Sequence, residues 1–291
     1  MYIFKAAVVG AGAMGAEIAQ VISFSGIPVL LKDVDQQALD RGMATVRNVY
    51  QRRVERGRMS QAEMDNRMAL VTPVLTYDGF GDVDLVIEAV PEKMEFKKRV
   101  FAELGNVCQP TAILASNTSA LSIKEMALAT NRPHRVVGLH FFFPAHVMKL
   151  VEVITSGLTD DETMDTAVEF VEGLRKIPVR MRECPGFLVN RVLMAAMGEA
   201  LHFYAETKTP VTEIDAVIQA RGGVPMGPFS LADTLGLDIV LDVAKTLEAA
   251  YGERFAPTPE LFDLVAAGKI GAKSGSGFYE YTGGAASGKT A

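Results

Sequence analysis

Residues 6–15 constrain this chain more than any other stretch. From Tyr2 to Val9 the chain is apolar except for Lys5, and Gly10-Ala11-Gly12-Ala13-Met14-Gly15 follows at once in G-x-G-x-x-G spacing. Ala16 to Ile22 then carries apolar residues at helical intervals. Strand, glycine turn and helix in that order form the context a dinucleotide site requires. Gly10 permits the tight turn, Gly12 lets the backbone approach a pyrophosphate, and Gly15 lets the helix pack on the strand. The helix N-terminus, from Ala13 and Met14, faces the phosphates with N–H groups and a positive dipole end. Glycine makes up 26 of 291 residues, so the flanks, not the spacing, carry this reading. A second apolar run, Ile27 to Leu31, ends at Lys32-Asp33. Asp33 lies about 20 residues past the glycines, where a carboxylate accepts ribose hydroxyls and repels a 2′-phosphate, favouring NAD over NADP. Asp35 competes for that role, and either acid could instead cap the next helix.

A hydrophobic fraction of 49% with 22% charged residues is globular composition. No apolar run reaches the roughly 18–20 residues of a membrane span. The first residues lack a basic start and a small-residue cleavage site, so a cytoplasmic protein is expected. Cys108 and Cys184 have no metal-ligand spacing, and neither a metal site nor a disulfide framework is expected. A net charge of −6 argues against general nucleic-acid binding. One region departs from that balance. Arg41, Arg47, Arg52, Arg53, Arg56 and Arg58 crowd a helical segment opposed only by Asp40 and Glu55. It reads either as a solvated face or as a landing surface for a polyanion.

The first half alternates apolar runs with helical patterns. Strands are expected at residues 83–90, 112–116, 135–142 and 150–154, with a helix at 92–104 and another from Ser122, which has capping-box spacing to Glu125. Residues 40–70 form a helical insertion between strands. Such alternation implies a doubly wound, mostly parallel sheet covered on both faces. The pattern changes at Cys184-Pro185-Gly186, and helices at 187–204, 212–220 and 231–251 predict an all-α C-terminal domain. We therefore divide the chain into domains 1–183 and 184–291. The helix from Phe187 is so broadly apolar that burial between domains or subunits is expected. Residues 283–289 are small and polar and read as a flexible tail.

Among four histidines, His140 stands at the end of an apolar strand, where doubly wound sheets form their ligand crevice. Glu152 lies inside another apolar strand, which is costly for an acid unless it is paired, and an imidazole would serve. A water-facing edge position is the alternative. Ser116-Asn117-Thr118-Ser119 ends a strand with four hydrogen-bonding side chains, fit for a site or for a turn. Asn190, amid apolar neighbours, reads as a buried amide that needs partners, of which a substrate is one.

These residues together resemble the L-3-hydroxyacyl-CoA dehydrogenase family, of the 3-hydroxybutyryl-CoA dehydrogenase type, over residues 5–281. The resemblance is carried by the Gly10–Gly15 motif, Ser116-Asn117-Thr118-Ser119, Gly138-Leu139-His140-Phe141-Phe142, Met148-Lys149-Leu150-Val151-Glu152-Val153, Pro185-Gly186-Phe187-Leu188-Val189-Asn190-Arg191, Pro225-Met226-Gly227-Pro228-Phe229 and Gly275-Ser276-Gly277-Phe278-Tyr279.

The resemblance implies reversible oxidation of an (S)-3-hydroxyacyl-CoA to the 3-ketoacyl-CoA with NAD. It implies His140 as base, Glu152 as its partner, and Ser119 and Asn190 as catalytic and substrate-binding residues. It puts Ala89, Glu92, Lys97 and Ser119 near the cofactor, Lys273 near the nicotinamide side and Arg53 near coenzyme A. It further implies a homodimer through the helical domain, which closes over the substrate. Phe143 departs from the pattern, because the family often has Asn there, with its amide on the cofactor. One rival reading is an NAD-dependent dehydrogenase of a free hydroxy acid such as L-gulonate. Another is a non-catalytic NAD-binding structural protein, which the complete polar set argues against. Acyl-chain length and pathway, whether β-oxidation of fatty acids, butyrate formation or polymer metabolism, are open at this point.

Overall fold

A computed structural model describes residues 2–282 and 285–290. The chain divides into two units, Met1–Glu183 and Cys184–Ala291. The first runs β1 (Ala6–Val9), α1 (Ala13–Phe24), β2 (Val29–Lys32), α2 (Gln36–Glu55), α3 (Gln61–Met68), β3 (Val71–Val74), β4 (Leu85–Glu88), α4 (Met94–Val107), β5 (Ile113–Ser116), α5 (Ile123–Ala127), β6 (Val136–Phe141), β7 (Leu150–Thr155), α6 (Asp161–Gly173) and β8 (Ile177–Arg182). The strands form one sheet in the order β3-β2-β1-β4-β5-β6-β7-β8. The chain leaves β1 towards one edge and returns to β4 on its other side. That reversal opens a crevice at the carboxyl ends of β1 and β4.

Strands β1, β2, β4, β5 and most of β6 are buried apolar runs, as a sheet covered on both faces demands. Every pairing is parallel except β6 with β7. The reason is the connection. Residues 142–149 are too few for a crossover helix, so the chain turns back beside β6. Strands β3 and β8, absent from the sequence expectations, are the two edges. Each carries a proline, Pro73 and Pro178, which an edge tolerates.

Local signals fix several helix starts. Asp35 caps α2 by accepting the Ala38 N–H at 2.7 Å. Ser60 and Glu63 form a full capping box on α3. At α5 only half of the expected box forms: Ser122 accepts the Glu125 N–H, while the Glu125 carboxylate pairs with Lys98. The segment at 40–70 is two helices, α2 and α3, not one.

The second unit holds α7 (Val189–Thr207), α8 (Val211–Gly222), α9 (Pro228–Leu235), α10 (Leu237–Tyr251) and α11 (Pro259–Ala266), then a hairpin of β9 (Tyr279–Thr282) and β10 (Ala285–Thr290). The helix expected at 231–251 is broken at Gly236, whose φ is +99°. A β-carbon there would come within 2.8 Å of Asp238 and Lys273. The hairpin adds a small sheet to an otherwise helical unit. It also corrects the tail expectation: residues 285–290 pair as a strand, while Gly283 and Gly284 lie outside the described residues. The core centres on Phe229 and Phe278, edge to face at 4.9 Å. Two buried acids pin the backbone around it. Asp215 accepts the Phe229 and Ser230 N–H groups at the start of α9. Asp233 accepts those of Phe278 and Tyr279.

Candidate active site

The three glycines after β1 are needed for three different reasons. Gly10 has φ +105°, and a β-carbon there would lie 2.5 Å from the Ala89 carbonyl oxygen. At Gly15 a β-carbon would overlap the Gly10 carbonyl, so only glycine lets α1 sit this close to the turn. Nothing lies within 4 Å of a β-carbon built on Gly12, which faces open space. No side chain caps α1, so its first-turn N–H groups are left to a ligand. This space belongs to a cavity of about 1010 Å³ lined by Gly10 to Ala13, Asp33 and Ala89. Arg41, Tyr77 and Arg99 also line it, and the sequence pattern did not single out Tyr77 or Arg99. Tyr77 lies 4.4 Å beneath the Lys32 ammonium and donates to Glu103, and its burial raises the phenol above its ordinary range. Met14 packs against the core and Gly15 is buried, and neither of these two expected cofactor contacts lines the cavity.

The two competing acids separate. Asp35 is the helix cap, whereas Asp33 ends β2, accepts the Ala11 N–H at 2.7 Å and is half-buried at the cavity. An open Gly12 cradle, an uncapped helix and a carboxylate at the end of β2 fit a dinucleotide with free ribose hydroxyls.

The reactive corner comes from strand register. Antiparallel pairing sets His140 on β6 directly opposite Glu152 on β7. His140 Nδ1 lies 2.7 Å from Glu152 Oε2, and His140 Nε2 lies 3.2 Å from Ser119 Oγ. Glu152 is fully buried and His140 is nearly so, which excludes the water-facing reading of Glu152. A carboxylate can only accept, so in the neutral imidazole the proton sits on Nδ1 and donates to Glu152. The lone pair of Nε2 then faces Ser119, which is exposed.

The polar run 116–119 proves to be four separate jobs. Ser116 donates to Glu88, and Asn117 accepts the Phe141 N–H at 2.8 Å, steadying β6 just past His140. Thr118 donates to Glu92, and Ser119 presents its hydroxyl to His140. Glu92 also accepts the Ser119 N–H at 3.0 Å.

A family profile described as 3-hydroxyacyl-CoA dehydrogenase, NAD binding domain, matches residues 5–184, and the C-terminal domain of the same family matches 186–281. The chain belongs to the 3-hydroxyacyl-CoA dehydrogenase family. It is 40% identical to a 3-hydroxybutyryl-CoA dehydrogenase of Clostridioides difficile over 278 residues, 95% of this chain and 99% of that one. Among solved structures it is similar to the (S)-3-hydroxybutyryl-CoA dehydrogenase of Ralstonia eutropha (TM-score 0.93, 34% identity, 96% of this chain and 99% of that chain). It is equally similar in fold to a 3-hydroxybutyryl-CoA dehydrogenase of Escherichia coli K12 (TM-score 0.93, 38% identity, 96% of this chain and 60% of that chain). As a member of this family, the protein is an NAD-dependent dehydrogenase that oxidises 3-hydroxyacyl-CoA to 3-ketoacyl-CoA.

The remaining family-implied residues of this dehydrogenase fall in varied places. Lys97 is almost fully buried, 2.7 Å from Glu88 and 3.1 Å from Glu92. Its ammonium also reaches the carbonyl of Val90, a residue of the cavity wall, at 3.4 Å. Arg53 lies in the last turn of α2 with its guanidinium 4.4 Å from the Phe24 ring. Asn190 is half-buried in the first turn of α7, not the buried amide expected from its apolar neighbours. Lys273 pairs with Asp238 at 2.6 Å within the helical unit. Phe143, in the β6–β7 loop, is 63% exposed. Among the described residues, no helix is long and apolar enough to cross a membrane, and no cluster of acids, histidines and cysteines could hold a metal ion.

Proposed function

We propose that the enzyme acts on short (S)-3-hydroxyacyl-CoA substrates, 3-hydroxybutyryl-CoA foremost, with His140 as the base. The observation that carries this reading is an imidazole held at Nδ1 by a buried carboxylate while Nε2 faces an exposed serine hydroxyl. In the oxidation direction His140 Nε2 takes the proton of the C3 hydroxyl, and Glu152 stabilises the imidazolium that results. The Ser119 hydroxyl orients the substrate oxygen. Bound NAD supplies the hydride acceptor. Gly10, Gly12 and the first turn of α1 hold its pyrophosphate, and Asp33 holds the ribose and disfavours NADP. We assign Asn190 to the substrate, Lys273 and Glu92 to the cofactor side and Arg53 to coenzyme A, on the resemblance alone. The short-chain preference is supported by relatives named as 3-hydroxybutyryl-CoA dehydrogenases.

We assign a cytoplasmic location, in keeping with two free cysteines, and a homodimer formed through the helical unit. Exposed Val192, Phe203 and Val217 on α7 and α8 support the dimer, and light scattering at the mass of two chains tests it.

The deciding experiment measures NADH formation on a ladder of 3-hydroxyacyl-CoA substrates, with free hydroxy acids as comparators, using NAD and NADP. The expected outcome is the highest kcat/KM with 3-hydroxybutyryl-CoA and NAD. Faster turnover of a free hydroxy acid would overturn the substrate, and equal use of NADP would overturn the role of Asp33.

A further inference from the structure

Helix α1 follows the glycine turn and is apolar on nearly every side, yet it carries one acid, Glu17, which is 5% exposed. A carboxylate so placed is costly unless it is met. Glu17 Oε2 accepts the N–H of Ala145, in the middle of the β6–β7 loop. The imidazole Nδ1 of His146 stands 3.2 Å from the same oxygen, outside hydrogen-bonding geometry. The other side of Ala145 is held as well. Lys176, between α6 and β8, donates to the Ala145 carbonyl at 2.6 Å and to the Met148 carbonyl at 2.8 Å. Burial lowers its ammonium pKa, and the charge of Glu17 works against that. Ala145 is fully buried, so one small residue has its N–H on an anion and its carbonyl on a cation.

The loop held in this way joins β6, which carries His140, to β7, which carries Glu152. Its own bonds form only a tight turn, with the Val147 and Met148 N–H groups on the Pro144 carbonyl. The register of two antiparallel strands depends on such a connection, and a slip of one residue would turn side chains to the wrong face. A smaller shift matters too, since a displacement of about 1 Å at a reacting group costs up to 10²-fold in rate.

We propose that Glu17 and Lys176 clamp Ala145 from opposite sides, tying the β6–β7 loop to the dinucleotide-binding helix, and that they are positioning residues for the His140–Glu152 pair. The proposal rests on His140 acting as the base. The test is a double-mutant cycle with three readouts: kcat, the Kd of NADH from its fluorescence, and Tm. Glu17→Ala is expected to lower kcat about 10-fold while the NADH Kd changes by less than about twofold, because the glycine turn is untouched. Glu17→Gln should recover most of the loss, since its amide oxygen still accepts the Ala145 N–H. In a His140→Gln background, Glu17→Ala should change kcat by less than about twofold, because its effect passes through the missing imidazole.

Three results would overturn the clamp: an unchanged kcat in folded Glu17→Ala, a full loss that persists in the His140→Gln background, or an NADH Kd that rises in step with the loss. A fall in Tm with normal kcat per folded enzyme would mark Glu17 as structural only. Should Glu17→Ala not fold, Lys176→Met removes the opposite half and carries the same expectation and the same refutation. A silent Glu17→Ala beside a disabled His140→Gln removes only the clamp. A His140→Gln enzyme with normal turnover removes the base assignment itself.

Discussion

Glu88 at the end of β4 and Glu152 on β7 are both fully buried carboxylates of one sheet, but the groups that meet them differ. Glu88 faces Lys97, with the Val90 N–H and the Ser116 hydroxyl completing its shell at 2.6–2.7 Å. This corner therefore joins a strand carboxylate to a lysine of α4 inside the core. Glu152 faces His140, which is a cation only after it has taken a proton. The first arrangement holds β4, α4 and β5 together. On the proposed reading, the imidazole of the second takes up the substrate's proton. Burial alone therefore does not distinguish a scaffold carboxylate from a reactive one. On the proposed reading, the kind of partner does: a lysine for Glu88, a histidine for Glu152.

The largest way to break this contrast is Lys97→Met. It strands Glu88 in the core without a counter-charge, and breaking a buried ion pair from one side costs about 3–5 kcal/mol. Urea unfolding should show a loss of that size, and the double variant Glu88→Gln/Lys97→Met should recover more than half. A loss below about 1 kcal/mol would mean that Glu88 is not held charged by Lys97.

His140→Gln comes next. It removes the titrating partner but keeps a polar side chain of similar length, so it should cut kcat by about 10² or more while NADH still binds. Stability should move far less than in Lys97→Met. Near-normal turnover would erase the distinction between the two corners. Ser119→Ala sharpens it further. One hydrogen bond of ordinary net strength, about 0.5–1.5 kcal/mol, corresponds to a 2- to 10-fold fall in kcat. A loss as great as that of His140→Gln would move the base role towards Ser119.

How much of this could be read from the chain depends on how local each feature is. The glycine turn is local, since Gly10, Gly12, Gly15 and the flanking runs all lie between Tyr2 and Ile22, and the dinucleotide fold follows from them. The alternation of runs also exposes the doubly wound class. Pairing across strands is not local. Nothing in the spacing of His140 and Glu152 states that β7 turns back with these two in register, because that depends on the short 142–149 connection. The Glu88–Lys97 pair escaped notice because a strand end and a helix meet there only after folding. Strands β3 and β8 escaped because Pro73, Pro178 and the arginines of β8 look like breaks, and only an edge position explains them. Gly236 escaped because apolar periodicity continues through it, although its positive φ ends one helix and begins another. The role of Glu17 is the least legible of all, since its partner Ala145 offers only backbone.

The helical unit supplies a third kind of buried carboxylate, and with it the smallest expected effect. Asp233 meets neutral donors, the Phe278 and Tyr279 N–H groups and the Tyr281 hydroxyl. Burial raises its carboxyl above the ordinary 3.8, and nearby Asp215 adds to this, while the donors pull it down. The folded protein thus binds this proton more readily than the unfolded chain does. The stabilisation tied to that proton is complete below pH 3.8 and is lost as the pH rises through the raised value. Acidification from neutral pH through that window should therefore strengthen this one contribution, even as other carboxylates weaken the fold. Asp233→Asn removes the titration. Thermal unfolding of both proteins between about pH 7 and 4 should show the wild type losing less stability than the variant on acidification. Parallel curves, or a steeper loss in the wild type, would overturn a raised Asp233 carboxyl.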